Sequence, residues 1–256
     1  LGLSASRNLN LDTAVLSSVG DMTLSADSGI RTLAGDTQSI QSTTGNLSLA
    51  SSVLRNGGTI SADDGTVTAR LDSLLVNTGT LHAGTTLDIA DEVGGRGVNV
   101  TNDGTIIVDS NGDGNLNIRA ASVENGLDAY IRSSAGTFLY ADSLLNEGMI
   151  IAANSIGETG IFSLDTLENT GTIQVTGSLL NFDVFETLDN TGELLSSNNL
   201  AINAGASALE LNNAGSGLIQ AEGELSISGD NITFATQAGT LMGNTTDISV
   251  FSLHNT

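Results

Sequence analysis

The stretch LENTGTIQV occupies residues 167–175, and twenty-one positions later the chain reads LDNTGEL at 188–194. With Asn169 as anchor, the phrase recurs at Asn56, Asn77, Asn102, Asn125, Asn146, Asn190 and Asn213. Gln237 then stands in, and Asn255 opens a further copy. Up to Asn213 the steps are 21, 25, 23, 21, 23, 21 and 23 residues. A period of about twenty-two residues is the signature of a solenoid.

The phrase has an internal grammar. An apolar residue stands two before the anchor, as at Leu54, Leu75, Val100, Leu144, Leu167 and Leu188. Glycine stands two after it at Gly58, Gly79, Gly104, Gly148, Gly171, Gly192 and Gly215. A second phrase alternates apolar and polar residues, as in LDIA (87–90), LNIRA (116–120), LAINA (200–204) and LSIS (225–228). Period-two alternation over such short runs predicts strands with one buried face. Two or three strands per repeat, turned by Asn-x-Gly corners, describe one coil of a parallel β-helix. One coil cannot bury its apolar face, but stacked coils share a continuous core. The corner is expected to use left-handed backbone, which Asn tolerates and Gly enters freely. The asparagines are expected to bond to one another along the stack.

Residues 51–256 follow this grammar regularly. Residues 1–50 keep only the second phrase, at NLNL (8–11), DMTLSA (21–26) and NLSLA (46–50). They are read as two less regular coils of the same single segment, 1–256. About eleven coils at ~4.8 Å give a rod of roughly 50 Å. Neither end carries a polar capping unit, so the chain is expected to be an uncapped piece of a longer array.

Composition narrows the function. The 256 residues carry a formal net charge of −22, from 29 acids and seven arginines, with no lysine. Such a chain repels nucleic acid and anionic membranes and is expected to stay monomeric. There is no cysteine for a disulfide and no proline. No apolar run is long enough to insert in a membrane, and no signal peptide is visible.

At LVNTGTLHAGTTLDIA (75–90) and LENTGTIQVTGSLL (167–180), the sequence resembles the haemagglutinin repeats of filamentous haemagglutinin-like exoproteins. That family includes two-partner-secreted adhesins and contact-dependent growth inhibition proteins of Gram-negative bacteria. The resemblance covers 51–256 closely and 1–50 loosely. It implies a right-handed parallel β-helix, export through an outer-membrane transporter partner, and a rod on the cell surface or secreted. The family's Asn-Pro-containing secretion domain is not in this chain, and no toxin module is visible.

Chemistry is sparse. His82 and His254 are the two histidines, and alternation turns His82 outward. Asp63-Asp64 in SADDGTV has the look of paired hydrolase acids but reads as a turn. GGRGVNV (94–100) mimics one calcium-binding nonapeptide without a second copy nine residues on. VDSNGDGNLNI (108–118) matches the head of a calcium loop at Asp109, Asn111, Asp113 and Gly114. Asn115 and Asn117 offer further oxygens, but Ala120 replaces the bidentate Glu. A turn is the simpler reading there. Catalytic, cofactor and metal residues are therefore assigned as none. Around Asn125 the phrase breaks, with Leu127 in the glycine position, and both tyrosines, Tyr130 and Tyr140, fall in this copy beside Arg132. The expected function is a non-enzymatic rod or stalk of a bacterial exoprotein. The rivals are a receptor-recognition segment, centred on 109–140 and binding a surface protein or glycan, and a polysaccharide-acting enzyme.

Overall fold

A computed structural model describes residues 1–12, 14–33, 38–109, 114–134, 136–153, 160–177, 179–235 and 238–255, the side chains of 38–39 and 251–255 excepted. Every regular element among the described residues is a strand, and every strand pairing is parallel. The chain winds as a β-solenoid. A large sheet takes one long strand from most coils, for example Leu47–Asn56, Val67–Asn77, Asn115–Asn125, Gly160–Asn169 and Leu180–Asn190. An 11-stranded sheet takes one short strand per coil, running from Leu16–Ser18 to Thr240–Met242.

Each long strand bends once. In Val67–Asn77, Val67, Ala69 and Leu71 point inward, and then the phase slips so that Leu75 and Asn77 do. A coil therefore presents three faces: the first half of the long strand, its second half, and the short strand. Inward positions form apolar columns, among them Leu47, Val67, Leu87 and Leu116, each directly opposite the next. Phe162 stacks against Phe182 in this core with centroids 5.1 Å apart.

Residues 1–42 make two coils on the same two sheets. Gly2–Ala5 and Asn8–Asn10 pair with Met22–Thr32, which pairs on to Leu47–Asn56.

The repeated asparagines lie at the ends of long strands and are buried. Asn56 Nδ2 donates to Asn77 Oδ1 at 2.8 Å, and the same bond runs on through Asn102, Asn125, Asn146, Asn169 and Asn190 to Asn213. Thr32 occupies the position one coil earlier, and its hydroxyl donates to Asn56 Oδ1 at 2.7 Å. At the far end Asn213 Nδ2 donates to the carbonyl of Thr240 at 3.0 Å. The amides all point one way for a local reason. Asn169 Nδ2 also faces the carbonyls of Gly171 and Glu193, both at 3.2 Å, so only the NH₂ end fits there.

The corner glycines depart from expectation. Of them, only Gly215 has positive φ, at 59°. Gly171 is required by proximity instead: a Cβ there would lie 2.0 Å from the Gly148 carbonyl oxygen. Gly79 and Gly192 would each meet the oxygen of the glycine one coil earlier at 2.1 Å. One coil's backbone rests directly on the next, and a side chain would pry them apart.

Candidate recognition patch beside the loop at residues 91–98

The longest step in the repeat, from Asn77 to Asn102, has a structural cause. In that coil the long strand is cut into Leu87–Ala90 and Asn99–Asn102, and residues 91–98 bulge from the bend. The loop is organised by its first residue. The Asp91 carboxylate accepts the backbone N–H groups of Val93 (3.1 Å), Gly95 (2.5 Å) and Gly97 (2.9 Å). Gly94 turns with φ of 80°. A Cβ on Gly95 would approach Asp91 Oδ2 to 2.8 Å, so the glycines let the backbone wrap a carboxylate of the same loop. That accounts for GGRGVNV without a metal. The N–H donors, Gly95 foremost, hold the Asp91 carboxyl below its usual range.

The loop aims Arg96 across the first face. Its guanidinium lies 6.0 Å from the Tyr140 ring centroid and 3.6 Å from Asp142. Tyr140 points outward from Gly136–Asn146, opposite Arg119 on the neighbouring strand. Arg119 and Arg70 share Asp88: Arg119 reaches its Oδ1 at 3.3 Å, and Arg70 pairs with its Oδ2. Phe138 points outward two residues before Tyr140, directly opposite Ile161. Tyr140, Phe138 and Ile161 thus form a half-buried apolar strip edged by two guanidiniums. Aromatic side chains beside Arg are the composition of protein contact hot spots, and each cation–π contact is worth about 0.5–1 kcal/mol when exposed.

The residues singled out in the sequence do not converge. His82 points outward on the short-strand sheet, between Ser61 and Ile107. His254 lies where side chains are not described. Asp63 follows a short strand and accepts Gln41 Nε2 at 2.5 Å, while Asp64 N bonds to the Thr43 carbonyl. This pair is a turn, as its sequence suggests. Asp109 is engaged by Arg132 at 2.9 Å, whereas Asn111 and Asp113 lie outside the described residues. Asn117 faces outward and Ala120 is core. Among the described residues, no three His, Cys, Asp or Glu gather as metal ligands would.

Tyr130 is outward, as alternation predicts, but it sits on the short-strand sheet, away from Tyr140. Arg132 turns to Asp109, not to either tyrosine. The partner Tyr140 does have, Arg96, stands two periods earlier in sequence, which reading within one repeat could not find. Phe138 was legible: with Leu139 and Ala141 inward, alternation turns both aromatics out. No family model, curated protein or solved structure matches the chain.

Proposed function

We propose that this chain is a non-enzymatic rod segment of a large bacterial exoprotein, working outside the cell as a stalk or adhesive surface. One observation carries the reading: the hydrogen-bonded asparagine ladder runs without a break from Asn56 to Asn213 and ties each coil to the next. Stacked identical joints supply reach and stiffness, which is what a stalk needs. The resemblance at 75–90 and 167–180 supports placement in a two-partner-secreted adhesin or contact-dependent inhibition exoprotein. With no cysteine and no proline, refolding after passage through a narrow pore waits on neither disulfide formation nor proline isomerisation. The acids on the outside keep such a filament soluble.

Excision of residues 169–189 tests the reading, because it removes one period and joins Glu168 to Asn190 in phase. Displayed behind a two-partner secretion domain, a stalk lacking one coil is exported, folded and functional, with its reach shortened by one strand spacing. Loss of export, or loss of whatever activity the full segment supports, contradicts it.

The patch of Phe138, Tyr140, Ile161, Arg96 and Arg119 favours a second reading, in which the same rod recognises a surface protein or glycan laterally. Under it, Tyr140→Ala lowers adhesion to target cells while leaving export and stability in place.

A further inference from the structure

We propose that the short-strand sheet is a dimerisation face, through which two copies of this chain pack side by side and antiparallel. Net charge alone argues for a monomer; its placement does not. The 11 strands of this sheet hold one acid, Glu193, and one arginine, Arg132, in a chain of net charge −22. The other two faces display Asp88, Glu124, Glu168, Asp183 and Asp189 instead. Outward from the short strands point Ile107, Tyr130, Met149, Ile151, Leu195 and Leu218. Met149 is 41% exposed, and Leu127, 75% exposed, borders Tyr130 and Met149 at the rim. Two polyanions of equal sign can approach with least repulsion through the one face almost free of acids.

The two charges make the face self-complementary. Arg132 lies on Tyr130–Ser133 and Glu193 on Glu193–Ser196, with Met149–Ala153 and Thr172–Thr176 between them in the sheet. A twofold axis parallel to the strands, between these middle two, lays the Arg132 strand of each copy over the Glu193 strand of the other. Arg132 then stands opposite Leu195 and one side-chain step, about 6.6 Å, from Glu193, within a guanidinium's reach. The contact occurs twice, as isologous symmetry requires. Tyr130 stands opposite Glu193, level with it across the sheet, and the strand of Ile107 meets that of Leu218. Arg132 gives up only a half-exposed pair with Asp109, which costs little. Eight overlapping strands, about 4.8 Å apart and about 13 Å long, cover roughly 500 Å² per copy. About 1,000 Å² in total is the lower edge of specific interfaces. The pair is therefore weak, and salt strengthens it by screening the net charge.

Sedimentation velocity of the full chain from micromolar to millimolar concentration, at low and high salt, tests this. The expected result is a rise from monomer to dimer with concentration, shifted to lower concentration by salt. Ile151→Glu and Met149→Glu each weaken the pair by about tenfold or more. Arg132→Glu weakens it similarly, and adding Glu193→Arg to that variant restores it. Thr166→Glu, on another face, changes nothing. Circular dichroism melts confirm that each variant is folded; should Ile151→Glu unfold, Met149→Glu carries the test from an already exposed position. A monomer under all conditions overturns the proposal, as does an association that survives both glutamates or is equally lost with Thr166→Glu. Failure of the reciprocal charge swap to restore the pair overturns the antiparallel arrangement.

Discussion

The asparagine corner and the bend in the long strand both turn the chain through a coil, yet they tolerate variation very differently. At the asparagine corner, Asn77, Asn102, Asn146, Asn169 and Asn190 are each followed three residues later by the next strand. Only after Asn125 and Asn213 is the corner longer. The bend takes everything from a register slip near Ser51 to the insertion at 91–98 and the irregularity between Asn203 and Ala208. The difference is one of bonding. A corner containing buried amides must place each within hydrogen-bond distance of the last, or leave donors and acceptors unpaired. A bend lined by apolar side chains asks only that they stay inside. Register is thus enforced at one corner, and surface variety, including the Arg96–Tyr140 contact, grows at another.

The largest effect expected from breaking this contrast is at the ladder. Asn169→Leu leaves the buried Oδ1 of Asn190 without its donor, takes one acceptor from Asn146 Nδ2 and removes one donor each from the Gly171 and Glu193 carbonyls, at about 3 kcal/mol for one unpaired group and the other lost bonds. Urea unfolding followed by circular dichroism measures it. Gly171→Ala is next, at about 2 kcal/mol, because its Cβ must displace backbone oxygen one coil below. Gly215→Ala, where nothing lies within 4 Å but φ is 59°, costs about 1 kcal/mol by backbone strain alone. Two residues inserted after Val93, 91% exposed in the bend loop, cost about 0.6 kcal/mol or less. The same insertion after Asn169 should prevent folding of the coils around it. The smallest effect is at Asp91. Its folded carboxyl titrates below the ordinary value of 3.8, so its contribution is present above that pH and fades as pH falls through the lower, folded value. Asp91→Asn should flatten stability against pH only in that acid window, as a pH series of thermal melts will show.

Much of this was legible in the chain because solenoid physics is periodic. The columns of Leu167 and Leu188, and the stacking of Asn169 on Asn190, follow from spacing alone. The reason for the corner glycines was not legible, since sequence cannot tell a residue that must turn left from one that must leave room. Gly171 and Gly215 stand at the same place in the repeat and answer differently. Thr32 was missed as the ladder's first member because its coil lacks the phrase, although a hydroxyl can accept and donate as the position requires. The patch partner Arg96 was hidden because contacts across coils lie whole periods apart in sequence.

One buried, hydrogen-bonded ladder of asparagine side chains sets the register of the coils, and solvent exchange of their side-chain amide protons, followed by nitrogen-15 NMR, probes it without mutation. The Nδ2 protons of Asn146, Asn169 and Asn190 should exchange roughly a thousandfold or more slowly than those of the outward Asn117, opening only when neighbouring coils unfold. Exchange of all four at the same free rate would contradict a ladder that holds the coils in register.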